Sequence, residues 1–162
     1  MIAGLPFREA LYREYTAKRR IVSYGAEYDF SAQALKHAEP IPGFLEALRG
    51  KAAAWVGIPA ERFVHALVTE YRPGTQLGWH RDTPEFGVVA GVSLGAPCRM
   101  RWRPYPPRKG DKGLVLELAP RSAYCMQGDA RWRWQHGISP TKALRYSITF
   151  RTLRASGNAS AA

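Results

Sequence analysis

From Phe63 onward, short apolar-rich runs of strand length, some of them alternating with polar positions, are separated by turn residues. The runs at about 63–71, 77–81, 88–94, 98–103, 113–118, 122–127 and 143–153 predict strands. Between them lie Pro73-Gly74, Pro84, Gly95-Ala96-Pro97, a Pro- and Lys-rich loop at 104–112, and Ala119-Pro120. Seven short strands at this spacing predict an all-β sandwich or jelly roll. Upstream the period changes. Phe44, Leu45, Leu48, Ala52 and Trp55 share one helical face, and Gly57 and Pro59 end the run, so Phe44–Val56 predicts a helix. Residues 38–43, with two prolines and a glycine, break the chain before it. Residues 7–20 are amphipathic in either period, which leaves helix and strand both open. Residues 21–30 read as a short strand, a turn centred on Gly25 and a second extended piece.

The last strand carries the clearest alternation. Tyr146, Ile148 and Phe150 form one face; Arg145, Ser147, Thr149 and Arg151 form the other. An ordinary amphipathic strand would turn that polar face to water. A second reading places a small dianion along it. The two arginines stand about 20 Å apart along the backbone, and each side chain reaches inward by roughly 6–7 Å. A five-carbon diacid would bridge the remainder, with Ser147 and Thr149 small enough to leave room. Arginine suits the task, because its planar fork pairs bidentately with carboxylate and keeps its charge.

Composition narrows the class. At 162 residues with 46% apolar residues, the chain is expected to form a single globular domain. No apolar run approaches the roughly 18 residues of a membrane span. Met1–Pro6 lacks the layout of a signal peptide, so no membrane association is expected. Cys98 and Cys125 fall inside strand-like runs and read as buried free thiols, consistent with a cytoplasmic protein. Lys and Arg number 24 against 13 Asp and Glu, a net charge of +11 and a pI near 10.1. Such an excess implies a polyanionic partner, nucleic acid first, or else a solvated basic surface with no specific partner.

The chemistry gathers at Gln76–Asp82. His80 and Asp82 are two residues apart at the end of a strand, so their side chains point to one side. An imidazole and a carboxylate converging on one point are two-thirds of the facial triad that holds Fe(II) with open positions. An isolated pair of this kind is also common near turns. The third ligand is expected on a neighbouring strand, and Gln135-His136-Gly137-Ile138 supplies it. His37 and His65 are weaker candidates; His65, within an apolar strand, reads as a hydrogen-bonded packing residue.

With His80-x-Asp82, His136 and Arg145-x5-Arg151 in that order, the chain resembles the AlkB-type Fe(II)/2-oxoglutarate dioxygenases. The resemblance runs from about Val68 to Leu153. It rests on Tyr71-Arg72-Pro73-Gly74, His80-Arg81-Asp82, Gly91-Val92-Ser93-Leu94, His136-Gly137-Ile138 and the Arg145–Arg151 strand. It implies a double-stranded β-helix core over about 61–154 and an N-terminal lid and supporting helix over about 1–60; the small, polar residues Gly157–Ala162 predict a flexible tail at 155–162. The resemblance further implies Fe(2+), 2-oxoglutarate and O2 as cofactor and co-substrates. His80, Asp82 and His136 would ligate iron. Arg145 and Tyr71 would hold the far carboxylate of 2-oxoglutarate, with Arg151 near the metal end. Thr69 and Ser147 stand where family members often carry Asn, and their hydroxyls or water would serve the co-substrate instead. The reaction implied is oxidative N-dealkylation, with succinate, CO2 and an aldehyde as products and alkylated DNA or RNA, single-stranded by preference, as substrate.

Base recognition is less sharply drawn. Tyr24 and Tyr28 are candidate stacking platforms or core residues. Arg81, between the two ligands, points away from the metal toward a phosphate, while Trp79 is expected to pack. Arg99 and Arg101, with Arg103, make a basic stripe opposite Met100 and Trp102, suited to a phosphate backbone or to guarding a solvated edge. Arg131 and Arg133, beside Trp132 and Trp134, would extend that surface. A monomer is expected. The same chemistry on protein side chains, or a non-catalytic nucleic-acid-binding module on a jelly-roll scaffold, are the alternatives.

Overall fold

A computed structural model describes residues 2–12, 15–29, 34–37 and 39–155. It is a jelly roll of two antiparallel sheets with one long helix packed outside. The larger sheet contains β1 (Arg8–Tyr12), β2 (Tyr15–Asp29), β3 (Ala34–His37), β4 (Phe63–Tyr71), β6 (Phe86–Gly95), β9 (Ser122–Met126) and β11 (Arg145–Leu153). Its order is β1-β2-β4-β11-β6-β9, with β3 paired to β2. The smaller sheet has the order β5-β10-β7-β8, from β5 (Leu77–His80), β7 (Cys98–Pro104), β8 (Leu114–Leu118) and β10 (Trp134–Ile138). The helices are α1 (Gly43–Val56) and the short α2 (Gly128–Trp132).

Strand alternation divides the interior in two. Val68, Ile148, Phe150, Ala66, Phe63 and Tyr24 point from the large sheet toward α1, where Leu45, Ala52 and Ala53 cover them. Met100, Leu118, Met126, Ile138, Val89 and Tyr71 fill the space between the sheets. Helix α1 ends on Gly57, whose left-handed φ of 80° lets its N–H reach the carbonyls of Ala53 and Ala54. Its buried face is narrower than its periodicity suggests: Phe44 and Trp55 are exposed.

The N-terminal segment departs most from expectation. Residues 21–29 make no turn; Tyr15–Asp29 is one strand running through Gly25. Gly25 sits at φ 80°, and a Cβ there would collide with the Val64 carbonyl of β4. The glycine marks a close approach between strands rather than a reversal. The ambiguous stretch resolves as the β1–β2 hairpin at the edge of the large sheet. The expected fraying of Gly157–Ala162 lies outside the described residues.

The last strand has no watery face. Ile148 and Phe150 are buried toward α1, and Arg145, Ser147 and Thr149 are buried toward the space between the sheets. Strand β11 sits between β4 and β6, registered Arg145↔Tyr71 and Arg145↔Gly95, so its polar row forms the floor of an enclosed cavity. Cys98 and Cys125 carry free thiols. No helix among the described residues is long and apolar enough to cross a membrane.

Candidate metal centre and co-substrate cavity

His80 ends β5 and pairs directly with His136 on β10, which brings two imidazoles from distant parts of the chain side by side. Their ring centroids are 4.2 Å apart. The strand ends at His80, and Asp82 follows two residues later. Its Oδ1 lies 3.8 Å from His80 Nε2 and 3.5 Å from His136 Nε2. Two ligands at about 2 Å from one ion are separated by roughly 3–4 Å, so one cation fits between these atoms. Among the described residues, this is the one group of three or more such donors gathered within 4.8 Å.

The protonation states favour a cation. His80 Nδ1 donates to the Gly78 carbonyl at 2.9 Å, which leaves Nε2 with its lone pair facing Asp82. Burial, reinforced by the neighbouring His80, pushes His136 down to about 3. Burial also lowers His80, against the opposing pull of the Asp82 charge. For Asp82, burial alone would raise the pKa; the Arg151 guanidinium and then the two imidazoles overcome it and hold the carboxyl far below its usual range. Two neutral imidazoles and an ionised carboxylate are the forms a divalent metal takes.

Asp82 is held from behind. Arg151 Nε donates to Asp82 Oδ2 at 2.7 Å. The same guanidinium reaches His65 through Nη1, 3.3 Å from Nδ1. Arginine only donates, so His65 Nδ1 must accept, and its proton resides on Nε2, which donates to Ser23 Oγ at 3.0 Å. Ser23, His65, Arg151 and Asp82 thus form one chain of hydrogen bonds from β2 to the metal site. His65 is packed, stacked on Phe86 at 4.9 Å, but it also steadies the arginine that orients a ligand. Sequence reasoning missed that second role, because it depends on the register Arg151↔His65.

The cavity runs from the triad along β11 to Arg145 and is lined by Thr69, Tyr71, Ser147, Thr149 and Tyr124, among others. Arg145 is 1% exposed, the largest fully buried side chain among the described residues. Its Nε donates to Ser93 Oγ at 3.0 Å and its guanidinium carbon lies 4.8 Å from the Tyr71 ring centre. Nη1 is buried with no hydrogen-bond partner, and no carboxylate salt-bridges to Arg145 among the described residues. A buried guanidinium is costly unless an anion meets it. The residues therefore fit a metal chelated at one end of the cavity by an acid whose far carboxylate satisfies Arg145. Thr69 and Ser147 lie opposite one another in register and both line the cavity. Arg19, buried on β2, lines it too and was not anticipated.

The candidate substrate residues fare differently. Tyr24 is 7% exposed and packs in the core beneath α1, on the opposite face of the large sheet from the cavity. It is corrected to a core residue, since alternation turns it away from the metal. The Tyr28 side chain lies outside the described residues. Arg81 is exposed and stacks on Tyr105 at 3.8 Å. Arg101 and Arg103 lie over the Trp79 ring at 4.8 and 4.5 Å, on the outer face of the small sheet. Arg99 pairs with Glu117 at 2.9 Å. The inner positions of that strand belong to the site: Met100 lines the cavity and Trp102 lies 5.1 Å from His136. Arg131 is corrected from surface to interior. It is 3% exposed and donates to the carbonyls of Gly87, Thr83 and Phe86, clamping the loop after Asp82.

Comparisons with known proteins agree with this geometry. The model of the 2OG-Fe(II) oxygenase superfamily matches residues 8–151. An uncharacterised protein of Acanthamoeba polyphaga mimivirus is 35% identical over 103 residues, 54% of this chain and 47% of that protein. The alkylated DNA repair protein ALKBH8 homolog of Arabidopsis thaliana is 27% identical over 145 residues, covering 75% and 42%. The tRNA (carboxymethyluridine(34)-5-O)-methyltransferase alkbh8 of Xenopus tropicalis is 29% identical over 133 residues, covering 76% and 20%. This chain thus spans between a fifth and about half of these relatives. The solved structure of OsALKBH1 superposes with a TM-score of 0.66 at 16% identity, over 90% of this chain and 83% of that one, which establishes the shared fold.

Proposed function

The chain belongs to the 2OG-Fe(II) oxygenase superfamily, in its AlkB-type group, and from that premise we propose that it is an Fe(II)- and 2-oxoglutarate-dependent dioxygenase removing N-alkyl groups from nucleic acid bases. The observation that carries the reading is the pairing of two features in one cavity. Three ligand atoms converge at one end, and a buried guanidinium with an unpartnered Nη1 stands at the other. A binding module has no need of either.

His80, Asp82 and His136 would hold Fe(II), and Arg145, with Tyr71, the far carboxylate of 2-oxoglutarate. When bound, iron and 2-oxoglutarate would supply the oxidation, one atom of O2 going to the succinate formed with CO2 and the other to the N-alkyl C–H bond. The hydroxylated carbon then leaves as aldehyde, and the amine keeps the proton. The protein's own part is positioning. Arg151 and His65 fix Asp82, the Gly78 carbonyl fixes the His80 tautomer, and the buried walls keep water from the far carboxylate. No acid–base pair is required.

A nucleic acid substrate is supported by the charge of +11 and by the arginines on aromatic rings outside the small sheet. Stacked on Tyr105 and Trp79, these arginines are partly engaged already, Arg81 donating to the Trp132 carbonyl and Arg103 Nε to Gln135 Oε1, so that only their remaining N–H groups are left for a partner. They would follow a phosphate backbone while a base from a single strand enters the cavity. Arg99, engaged by Glu117, would contribute less. The test is incubation with methylated single-stranded DNA, methylated RNA and methylated peptides, reading formaldehyde and succinate. Stoichiometric release of both from an oligonucleotide supports the reading; release only from peptides would move the substrate to protein.

A further inference from the structure

Strand β6 gives up a side chain where the cavity needs space. Gly91, buried in the middle of β6, lies between Thr149 of β11 and Tyr124 of β9 in register. A Cβ at Gly91 would fall inside the Tyr124 ring, 2.6 Å from the phenolic oxygen. The ring therefore lies flat across β6 toward β11 instead of standing off its own strand. Any residue larger than glycine would push it away.

That posture carries the hydroxyl into the co-substrate cavity. Tyr124 lines it together with Arg145, Ser147, Thr149 and Arg151. The same cavity is lined by Asp82 and Arg151 at its metal end and by Arg145 and Tyr71 at the other. Burial pushes the Tyr124 pKa well up, so it remains an O–H donor at neutral and alkaline pH. It makes no hydrogen bond among the described residues. The floor beside it on the same sheet is shallow: Thr69, Ser147 and Ser93 stand in one row across β4, β11 and β6, all with short hydroxyl side chains. A small acid lying on that row would be loosely held from below, and Tyr124 closes over it from the side.

We propose that Tyr124 is a co-substrate-binding residue, donating its hydroxyl to 2-oxoglutarate between the metal and Arg145, and that Gly91 is glycine so that the ring can reach. Tyr124 and Gly91 then set how tightly, and how selectively by length, a dicarboxylate is held.

This rests on the 2-oxoglutarate reading above, and one experiment separates the two. Protein loaded anaerobically with Fe(II) is titrated with 2-oxoglutarate, following the visible charge-transfer band, with metal affinity and the melting temperature of co-substrate-free protein measured alongside. Tyr124→Phe keeps the ring and removes only the oxygen. It is expected to raise the Kd for 2-oxoglutarate about tenfold, as the loss of one hydrogen bond to a charged group would, with metal affinity and melting temperature unchanged. Gly91→Ala keeps the oxygen but displaces it, and should raise the Kd as well. A Tyr124→Phe Kd within twofold of wild type overturns the proposal, as does a Gly91→Ala protein that folds and binds normally. If wild-type protein binds the metal but not 2-oxoglutarate, the parent reading fails and the inference falls with it.

Discussion

Arg145 and His65 separate two tasks that a count of basic residues would merge. Arg145 is a buried cation without a salt-bridging carboxylate among the described residues, so it is a cost to the empty protein. Arg145→Met is therefore expected to weaken 2-oxoglutarate binding severely while leaving the co-substrate-free protein as stable or more stable. The gain is up to about 1–3 kcal/mol, a rise of several degrees in melting temperature at this chain length; calorimetry checks it. His65 acts at the other end. His65→Phe preserves stacking on Phe86 but leaves Arg151 Nη1 without its acceptor and Ser23 without its donor. Metal affinity should fall about tenfold, the scale of losing a partner behind a ligand, as measured by anaerobic Co(II) titration. At this scale the sequence is readable where spacing alone brings ligands together, as with His80 at the end of β5 and Asp82 two residues beyond it. It is silent where strand register decides, as with His65 opposite Arg151 or Tyr124 over Gly91.

Among the elements, the loop between β5 and β6 is the most exposed to failure, because Asp82 lies in it rather than on a strand. Arg131, on α2, ties that loop to the strand it leads into, donating to the Thr83 carbonyl of the loop and to the Phe86 and Gly87 carbonyls at the start of β6. Arg131→Ala would leave those acceptors buried without donors. A loss of about 3 kcal/mol or more is expected, visible in urea unfolding, together with weaker metal binding. Nothing in Gly128–Trp132 announces this element, since one turn and a half is too short to show a helical period. Nor does the residue type help, because arginine is rarely buried unless paired. The strands of the jelly roll are legible because proline and glycine punctuate them. Strand β2 is not, since Gly25 signals a close approach and a turn with the same letter.

Across the whole molecule, the net charge of +11 is what the proposed nucleic acid partner would meet. If the arginines stacked on Trp79 and Tyr105 follow a phosphate backbone, affinity for single-stranded RNA or DNA should fall steeply with salt. Replacing Arg101 and Arg103 together with glutamine should lessen the slope of log Kobs against log salt by about 1–2, since each phosphate contact contributes about 0.7 on single strands. Affinity independent of salt would count against this surface. The central claim is narrower: one cavity binds a metal through His80, Asp82 and His136, and a keto-diacid through that metal and Arg145. The most direct measurement is the visible spectrum of the protein mixed without oxygen with Fe(II) and then 2-oxoglutarate. A charge-transfer band that appears only with both, vanishes in His80→Ala and needs far more 2-oxoglutarate in Arg145→Met is the predicted result. No band in the wild-type protein, or one that both variants retain, would contradict it.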